Sequence, residues 1–136
     1  VDDQILGSVL RGDRPAPVAG RKLFTTGYWY VRLCQAVLAA TGRPGVLAGP
    51  FVDLPQDLRT RAVAALLELP EEIGLISLRS LAPQIGTLRR RHQLNILGLE
   101  VLAAARQLGA DVYLSGVYPR LEDALEREGL AVASII

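Results

Sequence analysis

The chain contains no methionine, one cysteine (Cys34), one histidine (His92) and one lysine (Lys22). A single cysteine excludes a disulfide framework and a cysteine-rich zinc site. A single histidine excludes zinc ligation dominated by imidazole. Any Ser-His-Asp or Cys-His catalytic set would have to use His92. Only 5% of the residues are aromatic, and no apolar run reaches the roughly 18 residues that a bilayer-spanning helix needs. Charge of one sign is also lacking. The net charge is +1, so no global field draws the protein to nucleic acid, and such binding would need a local patch. Gly42, Gly45 and Gly49 have neither GxGxxG nor Walker spacing, which leaves no phosphate-binding loop.

What is present suffices for a core. Half of the 136 residues are hydrophobic, and the length fits one domain over residues 1–136. Asp2 and Asp3 stand where a signal peptide would be basic, so the expected location is cytoplasmic and no membrane association is expected. Val1 to Asp3 reads as the carboxyl end of a strand whose earlier residues would lie ahead of Val1.

Periodicity and turn residues set out the remaining elements. Helices are expected over 4–11, 28–40, 55–69, 80–91, 95–108 and 119–128. Strands are expected over 22–25, 73–78, 111–114 and 131–136, and 46–54 is ambiguous around Gly49-Pro50. Thr26 and Asn95 are in place as N-caps, Gly109 as a stop and Pro119 as a first-turn residue. Alternating strands and helices imply an α/β domain with three αβα layers and a mostly parallel central sheet of about 4–5 strands. Sites in such sheets lie beyond the carboxyl ends of the strands. That rule selects Asp2 and Asp3, Thr25 and Thr26, and Ser115 and Gly116.

Glu100 is the acid that stands out. It sits in the almost wholly apolar run Leu94-Asn95-Ile96-Leu97-Gly98-Leu99-Glu100-Val101-Leu102-Ala103-Ala104-Ala105. A carboxylate there must have a partner, a metal or a cleft, because burying it unpaired is costly. Asp2, Asp3 and Glu100 together are a candidate ligand set for magnesium or manganese, since clustered carboxylates suit hard cations that activate water. The alternative is that Asp2 and Asp3 cap the first helix while Glu100 pairs with an arginine such as Arg32. Tyr28, Trp29, Tyr30 and Arg32 are candidates for base stacking and phosphate binding, or for core and dimer interface. Arg89, Arg90, Arg91 and His92 suit a solvated helix C-terminus, or a contact with RNA or a partner. Cys34 reads as a buried small hydrophobe.

Two stretches resemble the PIN-domain family, the fold of many bacterial toxin ribonucleases. Val1-Asp2-Asp3-Gln4-Ile5-Leu6 is similar to the family's opening, a strand ending in aspartate followed by a helix. Leu94 to Ile136 is similar to its second half, where a helix bearing Ala103 and Ala105 leads through Leu108-Gly109-Ala110 to Asp111-Val112-Tyr113-Leu114, a charged helix and a last strand. Residues 22–78 agree in element order.

The resemblance implies a magnesium- or manganese-dependent endoribonuclease of the toxin-antitoxin kind. Asp2 and Glu100 would be catalytic, and Asp2, Asp3 and Glu100 would bind metal. Thr26, Arg32 and Ser115 would contact substrate. RNA, an antitoxin protein and a second copy in a homodimer would be the partners. Asp2 matches the first family acid. The second falls near Val31 or Arg32, the third near Gly98 and the fourth near Val117, and none of these is acidic. Glu100 lies two residues beyond the third position, about 200° around a helix. The departures imply an alternative, a catalytically inactive PIN-like module that binds RNA or protein.

Overall fold

The computed structural model describes residues 1–39 and 41–135. Helix α1 (Asp3–Leu10) is followed by a 3-10 turn (Ala16–Val18), strand β1 (Leu23–Thr25) and helix α2 (Gly27–Leu38). Next come α3 (Gly49–Val52), α4 (Gln56–Glu68), β2 (Ile73–Leu75) and α5 (Leu78–Leu88). Helix α6 (Ile96–Leu108), β3 (Val112–Leu114), α7 (Pro119–Arg127) and β4 (Val132–Ser134) complete the order. The ambiguous 46–54 stretch resolves into the single turn α3, which buries Phe51. Ser77 caps α5 by accepting from Arg79 N, so that helix starts earlier than Ser80 and β2 ends at Leu75. The expected ends at Ala40 and Ile136 lie outside the described residues.

Strand β1 pairs in parallel with β2, placing Phe24 opposite Gly74. The Phe24 ring lies over Gly74, where a Cβ would come within 2.4 Å of it, so any larger residue there would have to displace the ring. Strand β3 pairs in parallel with β4, with Tyr113 opposite Ala133. The expected α/β class with parallel pairing is present; where one central sheet of about 4–5 strands was expected, the described residues form two separate parallel pairs. Beside β1, Val1 N donates to Phe24 O at 2.9 Å, and the chain then enters α1.

The main core surrounds α6, where every residue from Gly98 to Ala105 is buried. Leu81, Ile85 and Leu88 of α5, Trp29 of α2 and Leu121 and Leu125 of α7 pack with it. A second core joins α1, α2, α3 and α4 through Leu6, Leu33, Phe51 and Leu66. Asn95 Oδ1 caps α6 by accepting from Gly98 N at 2.9 Å, and Gly109 ends it in the left-handed region at φ 61. A buried helix of this kind turns any acid on it into an interior group, which is the situation of Glu100.

Candidate functional site

The carboxyl ends of β1 and β3 and the start of α1 meet, as the rule for parallel sheets requires. Asp2, fully buried, joins them. Its Oδ1 accepts from Ile5 N at 3.0 Å and caps α1. Its Oδ2 accepts from both Ser115 N and Ser115 Oγ, each at 2.6 Å. Asp2 thus ties the start of α1 to the end of β3 across 113 residues of sequence. On the β1 side, Thr25 Oγ1 donates to Val1 O at 3.1 Å.

Glu100, also fully buried, points at the start of α2. Its Oε1 accepts from Tyr28 N at 2.8 Å and its Oε2 from Gly27 N at 3.2 Å. These are first-turn N–H groups that have no partner within their own helix. Thr26 occupies the N-cap position, but its side chain makes no capping bond. The cap therefore comes from another helix, and its negative charge meets the positive end of the α2 dipole. Gly27 makes the room, since a Cβ there would sit 3.1 Å from Oε2. The pairing suggested for Glu100 was with Arg32; instead, Arg32 Nε lies 3.4 Å from Asp3 Oδ2.

Asp3 is the acid with spare capacity. Its Oδ1 accepts from Gln4 N at 2.9 Å, whereas Oδ2 is buried without a hydrogen bond. Burial pushes its carboxyl above the usual range, Arg32 opposes that shift, and Asp2 adds to it. Tyr118 stands beside the same group, its phenol raised by burial and by Asp2 and Asp3, while Arg32 pulls it back. Arg32 is half-exposed and separates two open clefts. One, of about 370 Å³, has Asp3, Gln35, Arg43 and Tyr118 in its wall. The other, of about 510 Å³, is lined by Gln93, Asn95, Tyr118 and Arg120 and by no carboxylate.

The three candidate metal ligands, Asp2, Asp3 and Glu100, each have partners within the protein. Magnesium is commonly held through one or two carboxylates, with water or substrate oxygens completing the shell. Here the oxygens of Asp2 and Glu100 are directed at backbone and serine donors on different elements. Arg32 supplies positive charge beside Asp3, where a cation would otherwise be attracted. Among the described residues no group of three or more His, Cys, Asp or Glu is placed to hold a metal. At the remaining family positions Val31 and Val117 are exposed. Gly98 is enclosed, and a Cβ there would lie 3.3 Å from Asn95 Oδ1 and from Leu94 Cβ.

Sequence reasoning did not single out Gly27 or Tyr118. A glycine directly after the N-cap threonine was the available signal for the first. The second had no signal, because its role depends on contacts between β3, α1 and α2. Three members of the basic run have local partners. Arg89 Nη1 donates to Leu94 O, while Arg91 and His92 both meet Glu128 Oε1. Glu128 is held below the usual carboxylate range by His92 first, with Arg91 and Arg106 adding to the effect against its own burial. Cys34 is half-buried, and burial raises its thiol. No protein-family model matches the chain, and neither curated proteins nor solved structures give a match.

Proposed function

We propose that this chain is a PIN-like binding module for the phosphate backbone of single-stranded RNA, in which acids that a nuclease would offer to metal serve the fold. The observation that carries this reading is the placement of Glu100 and Arg32. The buried acid caps α2, and an arginine on that helix stands over Asp3. The position where the resemblance calls for a second acid thus holds or adjoins a cation that repels metal and attracts phosphate. Arg32 and Arg120 in one cleft, with Arg43 in the other, are spaced along a surface that also offers Asn95, Gln93 and Tyr118. Guanidinium groups with amide and aromatic neighbours suit a phosphate backbone with splayed bases.

The test is fluorescence anisotropy with a labelled 12-nucleotide RNA. Binding should weaken steeply with salt, and Arg32→Ala with Arg120→Ala should remove roughly 0.7 of log–log salt slope per lost phosphate contact. Binding should be the same in manganese and in chelator. Manganese-dependent cleavage of that RNA, abolished by Asp2→Asn, would overturn the proposal and restore the nuclease reading.

A further inference from the structure

The turn that leads into α6 and the face of α7 beside it hold a second group of charges, apart from Asp3 and Glu100. Between them lies an open cleft of about 430 Å³. Ligand sites commonly measure roughly 300–1,000 Å³. Arg91, His92 and Gln93 form one wall, and Arg120, Asp123 and Arg127 form the other. The α7 residues are spaced i, i+3 and i+7, so they share one helix face.

Glu128 organises the first wall from behind. Its Oε1 accepts from Arg91 Nε at 3.1 Å and Arg91 Nη2 at 2.9 Å, and it meets His92 Nε2 at 2.8 Å. Its Oε2 lies 3.6 Å from Arg106 Nε. These neighbours favour the ionised carboxylate, His92 most of all. An ionised carboxylate only accepts, so His92 Nε2 carries the proton of that bond. Nδ1 is then the free nitrogen. It has no protein partner and is not fully enclosed, so it opens on the cleft. The rest of the ring is buried, with 6% of the side chain exposed. A carboxylate-held imidazole that presents one nitrogen to a cleft is an oriented proton partner.

Charge and donors select the ligand. Arg91, Arg106, Arg120 and Arg127 stand against Asp123 and Glu128, which leaves two positive charges before His92 is counted. Arg91 keeps Nη1, and Arg127 spends Nε on Asp123 at 3.0 Å. Arg120 has no ion pair among the described residues. Guanidinium forks suit phosphate oxygens. Nδ1 then separates a phosphate monoester from a diester. A monoester loses its last proton at about pH 6. As the monoanion it donates an O–H to the neutral ring, and as the dianion it accepts from the imidazolium. One proton bridges the two in both cases. A diester has no proton to give, so its oxygens meet the lone pair of the neutral ring.

We propose that this cleft binds a phosphate monoester, with Arg91, Arg120 and Arg127 on its terminal oxygens and His92 Nδ1 sharing its proton. Its source is the terminal phosphate of a bound RNA or a free small phosphate monoester. Gln93, Leu94 and Arg120 also line the 510 Å³ cleft, so the two clefts adjoin. The site itself does not rest on the RNA reading.

The test is NMR titration with glycerol phosphate. His92 is the only histidine, so its ring protons are a single reporter. Glycerol phosphate should move that signal and the Nε–H signals of Arg91 and Arg127 in a saturable way, whereas glycerol and dimethyl phosphate should not. Arg91 and Arg127 have side chains 48% and 66% exposed, so Arg91→Gln with Arg127→Gln should fold, and it should weaken binding by about tenfold or more. His92→Gln should remove the preference for monoester over diester. No saturable response up to about 20 mM glycerol phosphate, an equal response to dimethyl phosphate, or unchanged affinity in the folded double variant overturns the proposal. Anisotropy of the labelled RNA with and without a terminal phosphate separates the sources. Tighter binding of the phosphorylated RNA, lost in the double variant, places the RNA end in the cleft. Equal binding of both RNAs, with the glycerol phosphate response intact, assigns the cleft to a free monoester. That response without any RNA binding supports this site and overturns the RNA reading.

Discussion

Replacing Glu100 by glutamine would change one atom and should cost much of the fold's stability. The side chain is fully buried, and both oxygens receive N–H groups from the first turn of α2. Glutamine keeps one acceptor for Tyr28 N but turns an NH₂ towards Gly27 N, setting two donors against each other. Losing a hydrogen bond to a charged acceptor costs about 1.5–3 kcal/mol. Losing the charge at the helix dipole adds about 0.3–1 kcal/mol. The expected total is about 3 kcal/mol. With a urea slope of about 2 kcal/mol per M, the midpoint should fall by about 1.5 M. Glu100→Ala adds a cavity and should cost about 4–5 kcal/mol. Equilibrium urea denaturation followed by circular dichroism reads both, and the losses should be equal in manganese and in chelator. A change below about 0.5 kcal/mol, or a manganese stabilisation of the wild type that the variant lacks, refutes the capping role.

Gly27→Ala should destabilise by about 1–3 kcal/mol through crowding of Oε2, and less so in the Glu100→Ala background, as a double-mutant cycle would show. Asp2→Asn should cost about 2–4 kcal/mol in urea, because an amide cannot accept from Ile5 N and from both Ser115 groups. Asp3 has a folded-state carboxyl raised above its unfolded value, so the native state binds more protons between the two. Its contribution to stability is therefore greatest at low pH and falls as pH rises through the folded value. Asp3→Asn should flatten that part of the urea-midpoint pH profile and stabilise the protein at neutral pH. Glu128 runs the other way, contributing above its unfolded value and losing that contribution as pH falls through its depressed folded one. Glu128→Gln should accordingly remove stability at neutral pH and leave it unchanged in strong acid.

Helices were the most legible part of the sequence, because their caps are local. Asp2, Asn95, Gly109 and Pro119 all stand where their residue types direct. The strands were legible as elements and misleading as a sheet. Val112-Tyr113-Leu114 shows its β character in isolation, but its pairing with β4 and not with β1 is a long-range outcome that no local pattern encodes. The site divides in the same way. Asp2, Asp3 and Ser115 were placed at strand ends by topology alone; Asp2 and Ser115 meet through a hydrogen bond, and Asp3 turns to Arg32. The role of Glu100 was not legible, because its partners are backbone amides 72 and 73 residues earlier. Backbone donors leave no mark in a sequence, so an acid that caps a distant helix looks the same as one that binds metal. Only Gly27, needed for clearance, carries a trace of the arrangement.

The central claim is that Asp2 and Glu100 serve the fold and that the surface around Arg32 binds phosphate. Anisotropy of the labelled RNA, measured across a manganese titration with the integrity of the RNA checked at each point, tests it most directly. The account predicts binding that depends on Arg32 and salt, is unchanged by manganese, and leaves the RNA intact. Cleavage that requires manganese and vanishes in a folded Asp2→Asn variant would contradict it.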